Sequence, residues 1–155
     1  FDPALLDVLV QYRPGYVLMH CQGVPGTMQQ NPHYNDVVSE VTAFFEEKMN
    51  VLVNAGFPEE NILLDPGIGF GKKMEHNLAL MAHPEAWERL GRPSLMALSM
   101  KSVFNDLLGL PVESRGPATQ TATALCYTRG YAWHRVHDAR AASQALRLAD
   151  AFMNA

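Results

Sequence analysis

The sequence has few cysteines, no excess of basic residues and no long hydrophobic run. Two cysteines are too few for a disulfide framework and lack metal-site spacing, so we expect Cys21 and Cys126 to be buried free thiols. The net charge of −4 excludes nucleic-acid binding by bulk electrostatics. The chain shows neither a basic leader nor an apolar run long enough to span a membrane. We therefore expect a cytoplasmic protein without nucleic-acid or membrane partners.

The composition is that of a folded domain. With 48% hydrophobic and 18% charged residues, 155 residues can bury a core, and we expect one domain over residues 1–155. The chain begins at Phe1 without an initiator methionine, and Asp2-Pro3 is typical of a helix N-cap followed by a first-turn proline. We therefore expect the sequence to be a fragment of a longer protein.

Short apolar segments alternate with helical patterns along the chain. Strands are predicted at residues 16–20, 62–64, 94–99 and 131–136. Helices are predicted around residues 5–10 and at 36–55, 75–81, 85–90, 103–108, 118–128 and 139–152. Alternation at this spacing predicts an α/β fold with a parallel sheet and right-handed crossovers.

The segment 62–72 is the most informative part of the sequence. Its apolar strand ends at Asp65, and three glycines with Phe70 between them follow. Parallel α/β folds place their sites at such strand ends, where glycines let the backbone approach a ligand closely. An N-capping aspartate in an ordinary turn is the alternative, but capping does not require three glycines. We predict that Asp65 binds a flat, amidine-like heterocycle by accepting two parallel N–H bonds.

Polar residues also end the other predicted strands, at His20, at 99–101 and at 135–138. In a parallel sheet these ends lie at one edge, so the side chains should converge. Alternation places Arg135 and His137 on one strand face, and Lys101 on the same face of its strand as Ser99. Two cations beside a histidine favour an anion, most naturally phosphate. Solvated surface charges are the alternative for Lys101 and Arg135.

Other chemistry-bearing residues favour packing over function. A metal site is disfavoured because no pair among the candidate ligands has ligand spacing; these candidates are His20, Asp65, His76 and His137. Five of the seven tyrosine and tryptophan residues are expected in the core or against helices: Tyr12, Tyr16, Tyr127, Tyr131 and Trp133.

Four motifs of this chain resemble those of dihydropteroate synthases. They lie at residues 18–29 (LMHCQGVPGTMQ), 64–72 (LDPGIGFGK), 99–102 (SMKS) and 135–138 (RVHD), in the order and spacing of that family. The wider pterin-binding group, including methyltetrahydrofolate methyltransferases, does not typically carry the motifs at 99–102 and 135–138 together. The resemblance implies the C-terminal half, about four strands, of a TIM (β/α)8 barrel.

The resemblance also implies an activity and a set of roles. Such enzymes of folate biosynthesis, which are sulfonamide targets, condense 6-hydroxymethyl-7,8-dihydropterin pyrophosphate with p-aminobenzoate to 7,8-dihydropteroate and pyrophosphate. By matching position, Asp65 and Met19 would hold the pterin, and Phe70 and Ser102 would line the aminobenzoate side. The implied catalytic residues are Lys101, between both substrates, with Arg135 and His137 on the pyrophosphate.

The chain departs from the family pattern in two residues and in extent. Family members usually carry Arg at the position of Met100 and Gly at that of Ala97. The family's N-terminal half, which supplies most of the expected Mg²⁺ ligands, has no counterpart here. We therefore expect a homodimer or pairing with an N-terminal half, and an inactive isolated chain. A non-catalytic pterin-binding half-barrel, or an assembly subunit, is the alternative.

Overall fold

The computed structural model describes residues 2–155 as helices alternating with short strands. In chain order these are α1 (Pro3–Tyr12), β1 (Tyr16–Met19), α2 (Val37–Asn54), β2 (Ile62–Asp65), α3 (Met74–Ala82), β3 (Leu95–Met96), α4 (Val103–Leu108), α5 (Gly116–Thr128), β4 (Trp133–His134) and α6 (Ala139–Met153). Single 3₁₀ turns cover Glu59–Asn61 and Val112–Ser114, and a longer 3₁₀ segment covers Pro84–Leu90. The predicted α/β alternation is confirmed.

The strands are parallel and follow one another in chain order. β1 pairs with β2, and this register sets Met19 opposite Asp65. β3 pairs with β4, and a parallel bridge between Leu64 and Ser94 joins the two strand pairs. All four carboxyl ends therefore lie at one edge, as the strand pattern predicted.

The hydrophobic core lies between the strands and the helices that cover one of their faces. α2 begins at its cap Asp36, whose carboxylate accepts from the backbone N–H of Val38 and Ser39, and the stripe that includes Phe45 is buried. Leu18 and Leu64 are buried against it. On the opposite strand face Val17 is 43% exposed and Trp133 is 56% exposed. The molecule thus has one packed face and one open face.

Two strands are shorter than predicted. The last backbone hydrogen bond between these two strands runs from Arg135 N to Met96 O. Residues 97–99 and 135–136 therefore lie outside the assigned strands. Four residues after β3 ends at Met96, Met100 has a left-handed φ of 63°, which turns the chain away from the strand direction. Ala97, Leu98 and Ser99 are nevertheless all buried, so the apolar character of this segment reflects burial and not strand pairing.

The packing roles predicted for aromatic residues are correct for some and wrong for others. Tyr131 is fully buried, and its hydroxyl donates to Leu80 O at 2.6 Å. Trp133 and Tyr12 are exposed, because Trp133 lies on the open face and Tyr12 ends α1. Cys126 is a buried free thiol as predicted, whereas the free thiol of Cys21 is only half-buried. No helix within residues 2–155 is long and apolar enough to cross a membrane.

Candidate active site

Asp65 is a buried carboxylate at the carboxyl end of β2. It is 2% exposed, and its Oδ1 accepts from the backbone N–H of Gly67 at 2.7 Å. Burial raises the pKa of Asp65, while the Gly67 N–H and the positive charges of Lys101, Arg135 and Lys72 act in the opposite direction. A carboxylate placed in this way is suited to a ligand that donates hydrogen bonds.

Residues 65–72, called here the glycine loop, lie directly against the segment that follows β1. A Cβ on Gly67 would come within 1.8 Å of His20 O, and one on Gly71 within 2.3 Å of Gln22 O. Both glycines also have left-handed φ values, of 68° and 63°. The sequence prediction attributed these glycines to close approach of a ligand. In the structure, Gly67 and Gly71 are required by close packing between two loops.

Lys101 joins the glycine loop from the end of β3. Its Nζ donates to Ile68 O and lies 4.4 Å from the centroid of the Phe70 ring, which is cation–π distance. The pKa of Lys101 is lowered to about 8, mainly by burial; Asp65 opposes this shift, and Arg135 adds to it. The structure therefore brings Asp65 and Lys101 close enough to interact, as the strand-end argument predicted, and places Phe70 against Lys101.

A small cavity of about 160 Å³ lies beside Lys101, between the ends of β3 and β4, and is lined by Ala97, Ser99, Lys101, Arg135, Val136 and His137. The Ser99 hydroxyl contacts His137 Nδ1 at 2.9 Å and also accepts from its backbone N–H at 3.3 Å. Arg135 and His137 are exposed. Two cationic side chains, a hydroxyl and an imidazole around one cavity can bind an anion.

The remaining predicted site residues lie nearby but make fewer contacts. Met19 is half-buried, and its register opposite Asp65 places both on the open face of the sheet. Ser102 is exposed and precedes α4 without a side-chain cap hydrogen bond. The roles assigned to these two residues stay predictions.

Several residues that shape the site were assigned no role from the sequence. Lys72 is 3% exposed and bonds within the glycine loop. Met100 N–H donates to Thr119 Oγ1 at 3.2 Å, and Arg115 donates to Met100 O at 2.9 Å. The side chains of Arg115 and Thr119 thereby hold the turn that aims Lys101 at the loop. Only the position of Lys72 inside the glycine motif marked it beforehand; nothing local marked Arg115 or Thr119.

The candidate metal ligands do not form a cluster. His20 contacts Lys72, His137 contacts Ser99, and His76 packs edge-on against Tyr34. Over residues 2–155 no group of three or more His, Cys, Asp and Glu side chains is placed to hold a metal ion.

Comparisons with known proteins agree with this geometry. The family described as pterin binding enzyme matches residues 1–137. The dihydropteroate synthase of Haemophilus influenzae is 36% identical over 99% of this chain and 56% of its own length. That of Neisseria meningitidis serogroup B is 41% identical over 97% of this chain and 54% of its own length. The chain thus spans about half the length of the curated relatives it matches.

Solved structures match over the same extent. A Yersinia pestis dihydropteroate synthase in a sulfonamide drug complex superposes with a TM-score of 0.95 at 31% identity, covering 99% of this chain and 56% of that one. A Xanthomonas albilineans dihydropteroate synthase in complex with 7,8-dihydropteroate superposes with a TM-score of 0.90 at 35% identity, covering 99% of this chain and 56% of that one. By its sequence match over residues 1–137, the chain belongs to the pterin binding enzyme family.

Proposed function

We propose that this chain provides the C-terminal four β/α units of a (β/α)8 dihydropteroate synthase. Together with the rest of that barrel, it would condense 6-hydroxymethyl-7,8-dihydropterin pyrophosphate with p-aminobenzoate, giving 7,8-dihydropteroate and pyrophosphate. The observation that carries the proposal is the buried carboxylate of Asp65, held beside Lys101 and Phe70 and next to a cation-lined cavity. The names and bound ligands of the matching solved proteins support the choice of substrates.

The proposed role of Asp65 is to accept two parallel N–H bonds from the amidine edge of the pterin. Its burial makes these hydrogen bonds strong because little water competes for the carboxylate. Met19, on the same face, would pack against the ring. Lys101 would contact the pterin and border the aminobenzoate, with Phe70 and Ser102 on the aminobenzoate side.

The proposed role of Arg135 and His137 is to hold the pyrophosphate. The bond that breaks joins the pterin methylene carbon to the pyrophosphate oxygen, and the bond that forms joins the same carbon to the aminobenzoate nitrogen, which releases one proton to water or to the departing pyrophosphate. Negative charge develops on the leaving pyrophosphate, and the cations of Arg135 and Lys101 would stabilise it. The Ser99 hydroxyl would orient the His137 imidazole through its contact with Nδ1.

Magnesium remains a prediction from the family resemblance. The open strand face, with Val17 and Trp133 exposed, is the surface that the rest of a barrel would cover. We further propose that residues 1–155 form a single domain and that the protein is cytoplasmic. The chain would form a homodimer or pair with an N-terminal half.

The test is a calorimetric titration of the 155-residue chain with the dihydropterin pyrophosphate, with and without Mg²⁺, followed by a turnover assay after adding an N-terminal half from a relative. Micromolar binding at one site and turnover in the assembled barrel are expected. Binding without turnover would favour a non-catalytic pterin-binding unit. Absence of binding both alone and in the assembled barrel would contradict the proposal.

A further inference from the structure

Lys72 is a buried cation that the proposed reaction does not use. We propose that it is a positioning residue: its ammonium group locks the glycine loop onto the end of β1 and thereby holds Asp65 and Phe70 in place for the pterin. The identity of the ligand, a pterin, rests on the proposed function. The hydrogen bonds of Lys72, called here the lock, are a property of the ligand-free chain and are tested separately.

The backbone of the glycine loop is bonded by side chains to an unusual extent. Each of its five consecutive carbonyl groups from residue 67 to residue 71 accepts a side-chain hydrogen bond. The pairs are Gly67 with Lys72 at 3.1 Å, Ile68 with Lys101, Gly69 with Gln29 at 3.1 Å, Phe70 with Lys72 at 3.0 Å, and Gly71 with the Tyr34 hydroxyl at 2.8 Å. Lys72 supplies two of these five bonds, which makes it the centre of the arrangement.

The third N–H of the Lys72 ammonium is directed at His20. The distance from Lys72 Nζ to His20 Nδ1 is 2.9 Å, and His20 is itself only 7% exposed. An ammonium has three donors and no acceptor, so Gly67 O, Phe70 O and the imidazole nitrogen satisfy it completely. His20 must then accept at Nδ1 and carry its proton at Nε2. Burial, together with Lys72, lowers the pKa of His20 to about 3, which is consistent with a neutral ring.

Lys72 and Lys101 bind different carbonyl groups of the same turn. Lys72 binds the carbonyls of residues 67 and 70, and Lys101 binds that of Ile68 between them. Gly67 N–H is also the donor to Asp65 Oδ1. Release of the Lys72 bonds would therefore shift the donor that orients Asp65 and the ring that faces Lys101. This connection makes Lys72 a positioning residue and not merely a buried charge.

The test compares Lys72→Met with Lys73→Met. The two substitutions remove the same charge from neighbouring positions, but Lys73 is exposed. For Lys72→Met we expect amide hydrogen exchange at Gly67 and Gly69 to become faster by about tenfold or more, because charge-assisted hydrogen bonds are lost. We expect a similar loss of affinity for 6-hydroxymethyl-7,8-dihydropterin pyrophosphate. Lys73→Met should behave as wild type, and equal behaviour of both variants would overturn the proposal.

A measurement on the unmodified chain covers the case in which Lys72→Met does not fold. Long-range proton–nitrogen spectra of the His20 ring at pH 7 should show a protonated Nε2 and an unprotonated Nδ1. A ring protonated at Nδ1 would overturn the lock. If the unmodified chain shows this signature and slow loop exchange but binds no pterin either alone or in the assembled barrel, the proposed function fails while the positioning role of Lys72 stands.

Discussion

The two ends of the site are built differently. At the β1–β2 end, Asp65 and Lys72 are buried, and side chains bond the loop backbone repeatedly. At the β4 end, Arg135 and His137 are exposed in the segment that follows a two-residue strand. A flat heterocycle is recognised by directional hydrogen bonds, which need fixed geometry, whereas Coulomb attraction to an anion is nearly non-directional. Under the proposed function, the end bonded by side chains would set specificity and the exposed end would supply charge.

The largest expected effect concerns the exposed end. In a complete enzyme containing this chain, Arg135→Ala should lower kcat by about 10²–10³-fold, as loss of one preorganised charge-stabilising group does elsewhere. Pterin affinity should change less, because Asp65 remains. The control is Arg147→Ala, which removes an exposed arginine from α6. Wild-type turnover in Arg135→Ala would remove the proposed role and with it the contrast between the two ends.

Asp65→Asn tests the end bonded by side chains. Pterin binding should weaken by about 1–3 kcal/mol, since a charged acceptor is lost from a buried position. The free energy of unfolding, in contrast, should increase. The raised pKa of Asp65 means that the folded state binds its proton more tightly, so ionised Asp65 destabilises the fold at neutral pH.

The Asn variant should therefore be more stable than wild type at pH 7, and this difference should shrink as the pH falls and Asp65 becomes protonated. Calorimetric titration and thermal unfolding from pH 4 to pH 7 measure the two effects. Unchanged pterin affinity would place the pterin elsewhere.

The pH dependence of anion binding separates the two ends further. The pKa of Lys101 is lowered to about 8, so its positive charge is present below that pH and lost above it. Affinity for inorganic pyrophosphate should therefore fall by about tenfold between pH 7 and pH 9. In Lys101→Arg, whose guanidinium stays charged, this fall should be much smaller. Identical pH profiles in the two proteins would show that Lys101 does not contact the anion.

The smallest expected effect concerns one side chain that joins the two loops. Gln29 donates to Gly69 O at 3.1 Å and accepts from Lys72 N at 3.2 Å, although it is exposed. Gln29→Ala should lower the free energy of unfolding by about 1 kcal/mol and speed amide exchange at Lys72. Gln30→Ala, the matched exposed neighbour, should do neither. Equal results would mean that backbone packing alone holds the loops together.

The parts of the fold that depend on local pattern were predicted well. α4 occupies the predicted residues 103–108, and β2 differs from its prediction only by including Asp65. The convergence of Asp65 and Lys101 followed from strand order in a parallel sheet. β3 and β4 were predicted too long, because an alternating pattern shows which residues are extended and not which of them pair.

The sequence by itself determined the alternation of helices and strands, the strand edge that carries the polar groups, and the family resemblance. These follow from residue spacing and from short motifs, which are local properties. Only the tertiary structure decided that Lys72 is buried against His20, that Gly67 and Gly71 serve loop packing, and that Trp133 is exposed. The physical reason is that burial and hydrogen-bond partnership depend on groups distant in the chain, and no local pattern reports those distances.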